Sequence, residues 1–159
     1  MKILVVSDTH GSINNIIKAI KDNYYPDRLI HLGDYVEDGI RLGEALNIST
    51  TIVRGNGDYY TDDYNYEDII EINGKKLFLT HGHKYMVHYD INNLFYRGQE
   101  LGVDYVLFGH THVPIIEREN NMIIMNPGSP TYPRGYNREK TIGMIEIGDY
   151  SKENIIEIK

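Results

Sequence analysis

Short apolar runs recur along the chain, and several end in glycine followed by a residue able to bind an ion. Ile3 to Val6 is a continuous apolar run, the pattern of a strand buried on both faces. Ile13, Ile16, Ile17 and Ile20 then repeat at helical spacing, which predicts a helix with one apolar face and Ser12 as its N-cap. After the Tyr25-Pro26-Asp27 turn, Arg28 to Leu32 predicts a second strand with His31 packed inside it. Val36 to Leu46 predicts a helix of weaker pattern, and Thr50 to Val53 a third, β-branched strand. Asp58 to Asp68 has no period and is expected to be a loop. Ile69–Ile72 and Lys76–Thr80 flank Asn73-Gly74, a strong hairpin signal. Ile91, Leu94, Phe95 and Leu101 form an apolar stripe on a helix that Asp90 can cap. Tyr105 to Phe108 predicts a buried strand. Ile115–Glu119 with Met122–Met125, and Thr141–Ile147 with Ile155–Ile158, predict two more antiparallel pairs. A first half that alternates strand and helix, followed by hairpins, predicts an α/β (α+β) fold of two packed sheets with helices outside.

Composition narrows the class. The 159 residues suffice for one domain, expected over 1–159, and no apolar run approaches the roughly 18 residues of a membrane span. Net charge is −7 without a lysine or arginine cluster, so polymeric nucleic acid is not an expected partner. The chain has no cysteine, which leaves nitrogen and oxygen as metal ligands and places the protein in the cytoplasm.

The polar residues that follow the strands carry the chemistry: Asp8, His10, Asp34, Asn56, His81, His110 and His112. Taken singly, each has a bland reading. Asp8 suits a cap or turn, Asn56 serves as a turn former or an oxygen ligand, and the His110-Thr-His112 pair suits a surface loop. Taken together, donors at five strand ends converge on the edge where ligands of open α/β sheets collect. Two metal ions need about four protein ligands each, and these donors meet that count if Asp34 is shared. The acidic, tyrosine-rich loop at 58–68 reads either as a solvated surface or as a wall that repels long polyanions.

Asp8-x-His10, Gly33-Asp34, Gly55-Asn56, His81-Gly82 and Gly109-His-Thr-His112, in this order, resemble the calcineurin-like metallophosphoesterase superfamily. Chain length and the Asn126-Pro-Gly-Ser129 turn are similar to its small prokaryotic phosphodiesterase branch. The resemblance implies a four-layer αββα sandwich and two divalent metal ions. Mn2+ is the first expectation and Ni2+, Zn2+ or Fe the others. It implies one ion on Asp8, His10 and His112, the other on Asn56, His81 and His110, and Asp34 between them. A water bridging the metals, its pKa lowered, would attack phosphorus. Among the ligands, Asp34, Asn56 and His81 are expected to take part in catalysis. Many members carry a histidine directly after the asparagine; here that position is Gly57, so Asp58 or a water must replace it or the leaving group must be good. Arg134 is a candidate for the substrate phosphate. His31 and His88 are expected outside the ligand set, and His83 as an outer or substrate contact. The expected activity is hydrolysis of a small or activated phosphodiester. The alternatives are a phosphomonoesterase or nucleotide pyrophosphatase with the same metals, and a non-catalytic protein-binding scaffold of the same fold. No membrane partner is expected, and a homo-oligomer is left open.

Overall fold

The computed structural model describes residues 1–23 and 25–159. Its strands are β1 (Lys2–Val6), β2 (Arg28–His31), β3 (Ser49–Ile52), β4 (Glu67–Ile72), β5 (Lys75–Thr80), β6 (Tyr105–Leu107), β7 (Ile115–Glu119), β8 (Met122–Asn126), β9 (Thr141–Glu146) and β10 (Lys152–Glu157). Its α-helices are α1 (Asn14–Asn23), α2 (Val36–Leu46) and α3 (Asn92–Leu101), with a 3₁₀ turn at His83–Tyr85. Two mixed five-stranded sheets result, in the orders β10-β9-β1-β2-β3 and β4-β5-β6-β8-β7.

The period-2 alternation of side chains sorts the strands into layers. Ile3 and Val5 of β1 join Leu77 and Leu79 of β5 and Tyr105 and Leu107 of β6 in the core between the sheets. Leu4 and Val6 point the other way and pack with Ile13, Ile16 and Ile20 near α1 and Leu42 of α2. Phe78, Val106 and Phe108 face outward from the second sheet onto Leu94 of α3. The two-sheet, helix-flanked architecture read from the sequence is therefore what the chain adopts.

Three details differ from the sequence expectation. α1 begins at Asn14 rather than directly after Ser12. α3 begins at Asn92, and Asp90 serves it by accepting the Asn92 N–H at 2.9 Å. The aperiodic loop ends early, because Glu67 and Asp68 are drawn into β4 opposite Thr80 and Leu79.

Two buried polar groups are built into the sandwich. Glu153 of β10 accepts the Tyr105 hydroxyl at 2.7 Å and pairs with Arg118 of β7, tying three strands of both sheets. Burial pushes the Tyr105 phenol up to about 12. His31, fully buried in β2, accepts the Gly33 N–H at Nδ1 (3.3 Å) and faces the Thr9 hydroxyl with Nε2 (3.2 Å). The Nδ1 contact fixes the neutral tautomer with its proton on Nε2, and burial lowers this imidazole to about 4.

Glu153→Ala should lower stability by about 2–4 kcal/mol, because it orphans the buried Tyr105 hydroxyl and removes the ion pair between the sheets. The measure is the urea midpoint at constant m-value, and an unchanged midpoint would show that the link contributes nothing. For His31 the folded value of about 4 lies below the unfolded value of about 6.5. Between those values only the unfolded chain takes up the proton. Its contribution is therefore complete above pH 6.5 and falls as pH drops toward 4, by up to about 3 kcal/mol. Subtracting the metal-free His31→Gln curve from wild type should leave that slope; a pH-independent difference would reject it.

Candidate metal centre

The parallel strands of both sheets end on the same side of the sandwich. β1 and β2 deliver Asp8 and Asp34; β5 and β6 deliver His81, His110 and His112. The two edges meet there. Asp8 Oδ2 accepts the His110 N–H at 3.0 Å, and His81 Nδ1–H donates to the Leu32 carbonyl at 2.8 Å. Close approach explains two of the glycines. A Cβ at Gly109 would come within 1.9 Å of Ser7 Oγ and 2.8 Å of Asp8 Oδ2. One at Gly55 would come within 2.2 Å of Asp34 Oδ1 and 2.9 Å of the His81 ring.

Five of the seven expected ligands have a left-handed backbone: Asp8 (φ 56°), His10 (48°), Asp34 (54°), His110 (67°) and His112 (59°). That conformation costs an L-residue of order 1 kcal/mol, and clusters of it mark sites held by their surroundings. The surroundings are visible. Ser129 Oγ donates to the Asp8 carbonyl (2.8 Å), and Thr131 Oγ1 donates to the Thr9 carbonyl (2.7 Å). Asn126 Nδ2 donates to the Gly109 carbonyl (2.8 Å), and Asp38 of α2 accepts the Gly11 N–H (2.7 Å).

The ligand atoms converge in two overlapping groups, Asp8–His10–His112 and Asp8–Asp34–His81, each within 4.8 Å. His112 Nε2 lies 3.2 Å from Asp8 Oδ1 and 3.4 Å from His10 Nε2. His81 Nε2 lies 3.4 Å from Asp34 Oδ1 and 3.2 Å from His110 Nδ1. Asp8, not Asp34, is common to both groups. The Nδ1 protons of His81 and His112 are held by the carbonyls of Leu32 and Tyr132, so both Nε2 lone pairs face inward. Among the described residues, Asp8 Oδ1 is buried and accepts no aligned hydrogen bond. A bare carboxylate oxygen among inward lone pairs is an arrangement that a cation completes.

Burial opposes charge on Asp8, but His112 and His81 outweigh it and hold the carboxyl down at about 2. Burial would also lower His112, yet Asp8 raises it above its ordinary value. His10 is lowered by burial, and His110 is lowered to about 4 by burial together with His81 and His88. Lowered values keep imidazoles neutral and able to ligate.

Other expected residues fall at varied distances from this cluster. Asn56 is exposed on the Gly55–Gly57 turn, where the Gly57 N–H donates to Asp34 Oδ1 at 2.8 Å. Asp58, the candidate for a substitute acid, lies against the start of α2. Its Oδ1 accepts the Tyr35 and Val36 N–H groups (2.7 and 2.9 Å) at the start of α2, and its Oδ2 accepts the Gly55 N–H (2.8 Å). Both oxygens are occupied in shaping the loop. His88, expected beyond the site, places its ring 4.5 Å from that of His110, and His83 lies 5.6 Å from His81. Arg134 is exposed, and its N–H donates to the His112 carbonyl at 3.0 Å. Asp38, Thr9 and the Tyr132 carbonyl support the site without being expected from sequence. Asp38 had one signal: an acid on the helix face otherwise buried with Val36 and Leu42.

Known proteins resemble this chain in sequence and in fold. Over 138 residues the chain is 36% identical to a probable metallophosphoesterase of Methanocaldococcus jannaschii, covering 84% of this chain and 70% of that one. It is 34% identical over 145 residues to a phosphodiesterase of the same organism, covering 80% and 83%. A crystal structure of a predicted phosphoesterase from Streptococcus pneumoniae TIGR4 superposes with a TM-score of 0.80 at 32% identity, covering 98% of this chain and 88% of that one. Residues 1–150 match the calcineurin-like phosphoesterase superfamily domain, and the chain belongs to that superfamily.

Proposed function

We propose that residues 1–159 act as one domain, a metal-dependent phosphodiesterase that hydrolyses a small phosphoester. The observation that carries this reading is the buried Asp8 Oδ1, left without a donor among the inward-facing nitrogens of His10, His81 and His112. Asp8, His10 and His112 would hold one divalent ion. Asp34, Asn56, His81 and His110 would hold a second, with a carboxylate shared between them. Mn2+ leads the candidates, and Ni2+, Zn2+ and Fe suit the same nitrogen and oxygen donors. Bound divalent ions would neutralise phosphoryl oxygens and make a water acidic enough to be a nucleophile near neutral pH.

The chain's own residues set the remaining terms. The carbonyls of Leu32 and Tyr132 orient the two ligand imidazoles and raise their basicity. Arg134 is proposed to take two phosphate oxygens with its planar guanidinium. Gly57 has no side-chain acid to protonate a leaving group, and the Asp58 carboxylate accepts three backbone N–H groups. The reading therefore favours esters whose leaving group departs as a stable anion, such as a phenolate, over simple alkyl esters. The net charge of −7 disfavours a polyanionic substrate. The absence of cysteine supports work in the cytoplasm.

The deciding experiment strips the metal and restores Mn2+, Ni2+, Zn2+ or Mg2+ one at a time. Each form is assayed on mono- and diesters that span leaving-group pKa. Turnover of aryl diesters that returns with metal is expected. Metal uptake without turnover of any ester would favour the scaffold alternative. Asp34→Asn should cut turnover at least about 100-fold and lower metal content by elemental analysis; normal turnover in a metal-loaded sample would reject the assignment. Arg134→Ala should raise KM about tenfold, the loss of one charge-assisted contact. Unchanged KM and kcat would remove Arg134 from the phosphate site.

A further inference from the structure

A cleft of about 230 Å³ lies beside the candidate metal centre, walled by Tyr35, Gly57, Tyr59 and Tyr60. Gly57 belongs to both places. It lines the cleft, and its N–H donates to Asp34 Oδ1 at 2.8 Å. A group in the cleft is thus one residue away from a proposed metal ligand. Tyr35 makes the same connection on the other side, with its ring 5.3 Å from that of His10.

The wall is aromatic and its rings are bare. Tyr59 and Tyr60 are 67% and 89% exposed, and Tyr35 is 47% exposed. The rings of Tyr59 and Tyr60 sit 4.6 Å apart with their planes inclined at 56°, leaving faces available for stacking. Such exposed rings carry a desolvation benefit for a flat ligand and none for the fold. The loop that bears them is anchored. The Arg54 guanidinium donates to the Thr61 carbonyl (2.8 Å) and to Asp62 (2.7 Å) while lying over the Tyr66 ring. Asp58 holds the loop's start through the three backbone N–H groups of Tyr35, Val36 and Gly55. Charge selects further: the cleft wall includes Glu37, which disfavours a second anion. The volume is below the roughly 300–1,000 Å³ of pockets that enclose a whole drug-sized ligand, so it suits a single ring system.

We infer that this cleft is a subsite for an uncharged aromatic ring carried by the phosphoester, stacked on Tyr59 and Tyr60 while the phosphate lies over the metal ligands. The inference rests on the phosphoesterase reading for the position of the phosphate, but the ring-binding cleft itself needs no metal. Two sources share the chemistry, the base of a nucleotide and a simple aryl group.

The test is amide NMR of the full chain, metal-stripped and Mn2+-free, titrated separately with adenosine, benzyl alcohol and cyclohexylmethanol. Adenosine should shift the amides of Gly57, Tyr59, Tyr60 and Thr61 with saturation, and cyclohexylmethanol should not. Tyr59→Leu and Tyr60→Leu, at positions too exposed to affect folding, should each weaken adenosine binding about tenfold, equivalent to about 1.4 kcal/mol. Adenosine binding tighter than benzyl alcohol supports the nucleotide source; equal binding supports the aryl one. An equal response to cyclohexylmethanol, shifts confined to other regions, or unchanged affinity in both variants would overturn the inference. Saturable binding in a protein that hydrolyses no ester would leave the cleft standing and reject only the activity.

Discussion

The contact on which the rest depends is between the carboxylate of Asp8 and the loop after β6. One oxygen accepts the His110 N–H at 3.0 Å, which joins the two sheets at their C-terminal edge. The other is buried with no aligned donor among the described residues and faces imidazole nitrogens. A buried anion in that position is costly unless positive charge lies beside it. The fold supplies the cost, through hydrophobic cores on both faces of each sheet. A proton or a cation supplies the compensation.

Much of the supporting structure serves to keep that edge in an otherwise unfavourable conformation. The turn after β8 reaches across to Asp8, Thr9 and Gly109 with hydroxyl and amide groups. Asp38 does the same from α2, through Gly11. His31 and Thr9 form a polar pair beneath Asp34, whose carbonyl lies 3.4 Å from the Thr9 hydroxyl. Left-handed residues persist here because several partners over-determine them, as expected where geometry is needed for binding.

The architecture was legible in the sequence because its strands are buried on both faces and its hairpins carry strong turn residues. β1 read as an unbroken apolar run, and Asn73-Gly74 marked the β4–β5 turn. α2 read weakly for a physical reason: two glycines, Gly39 and Gly43, lie on its buried face, where the chain runs close to His31 and Thr50. The convergence of Asp8, His10, Asp34, His81 and His112 followed from each standing just past a strand. Asp58 did not follow. It accepts three backbone amides, and a carboxylate's partners are not written in its neighbours. Likewise the nearness of His88 to His110 depends on how the 3₁₀ turn after β5 carries the chain, and no period encodes that.

The sequence distances within the site have a consequence for how it comes into being. Asp8 meets His110 across 102 positions and Ser129 across 121, and His112 is oriented by the carbonyl of Tyr132. No contiguous fragment of one sheet contains a working set of donors. During synthesis from the N-terminus, the early βαβ units can collapse onto their helices and all residues of the Asp8–Asp34–His81 group exist by position 81, but the Asp8–His10–His112 group is incomplete until His112 and the Tyr132 carbonyl that orients it have been added. The Asp8–His10–His112 group is therefore the later of the two to be completed as the chain grows. Convergence of the donors depends on both sheets docking in register, since a misaligned sandwich would present the same side chains with nothing to hold in common.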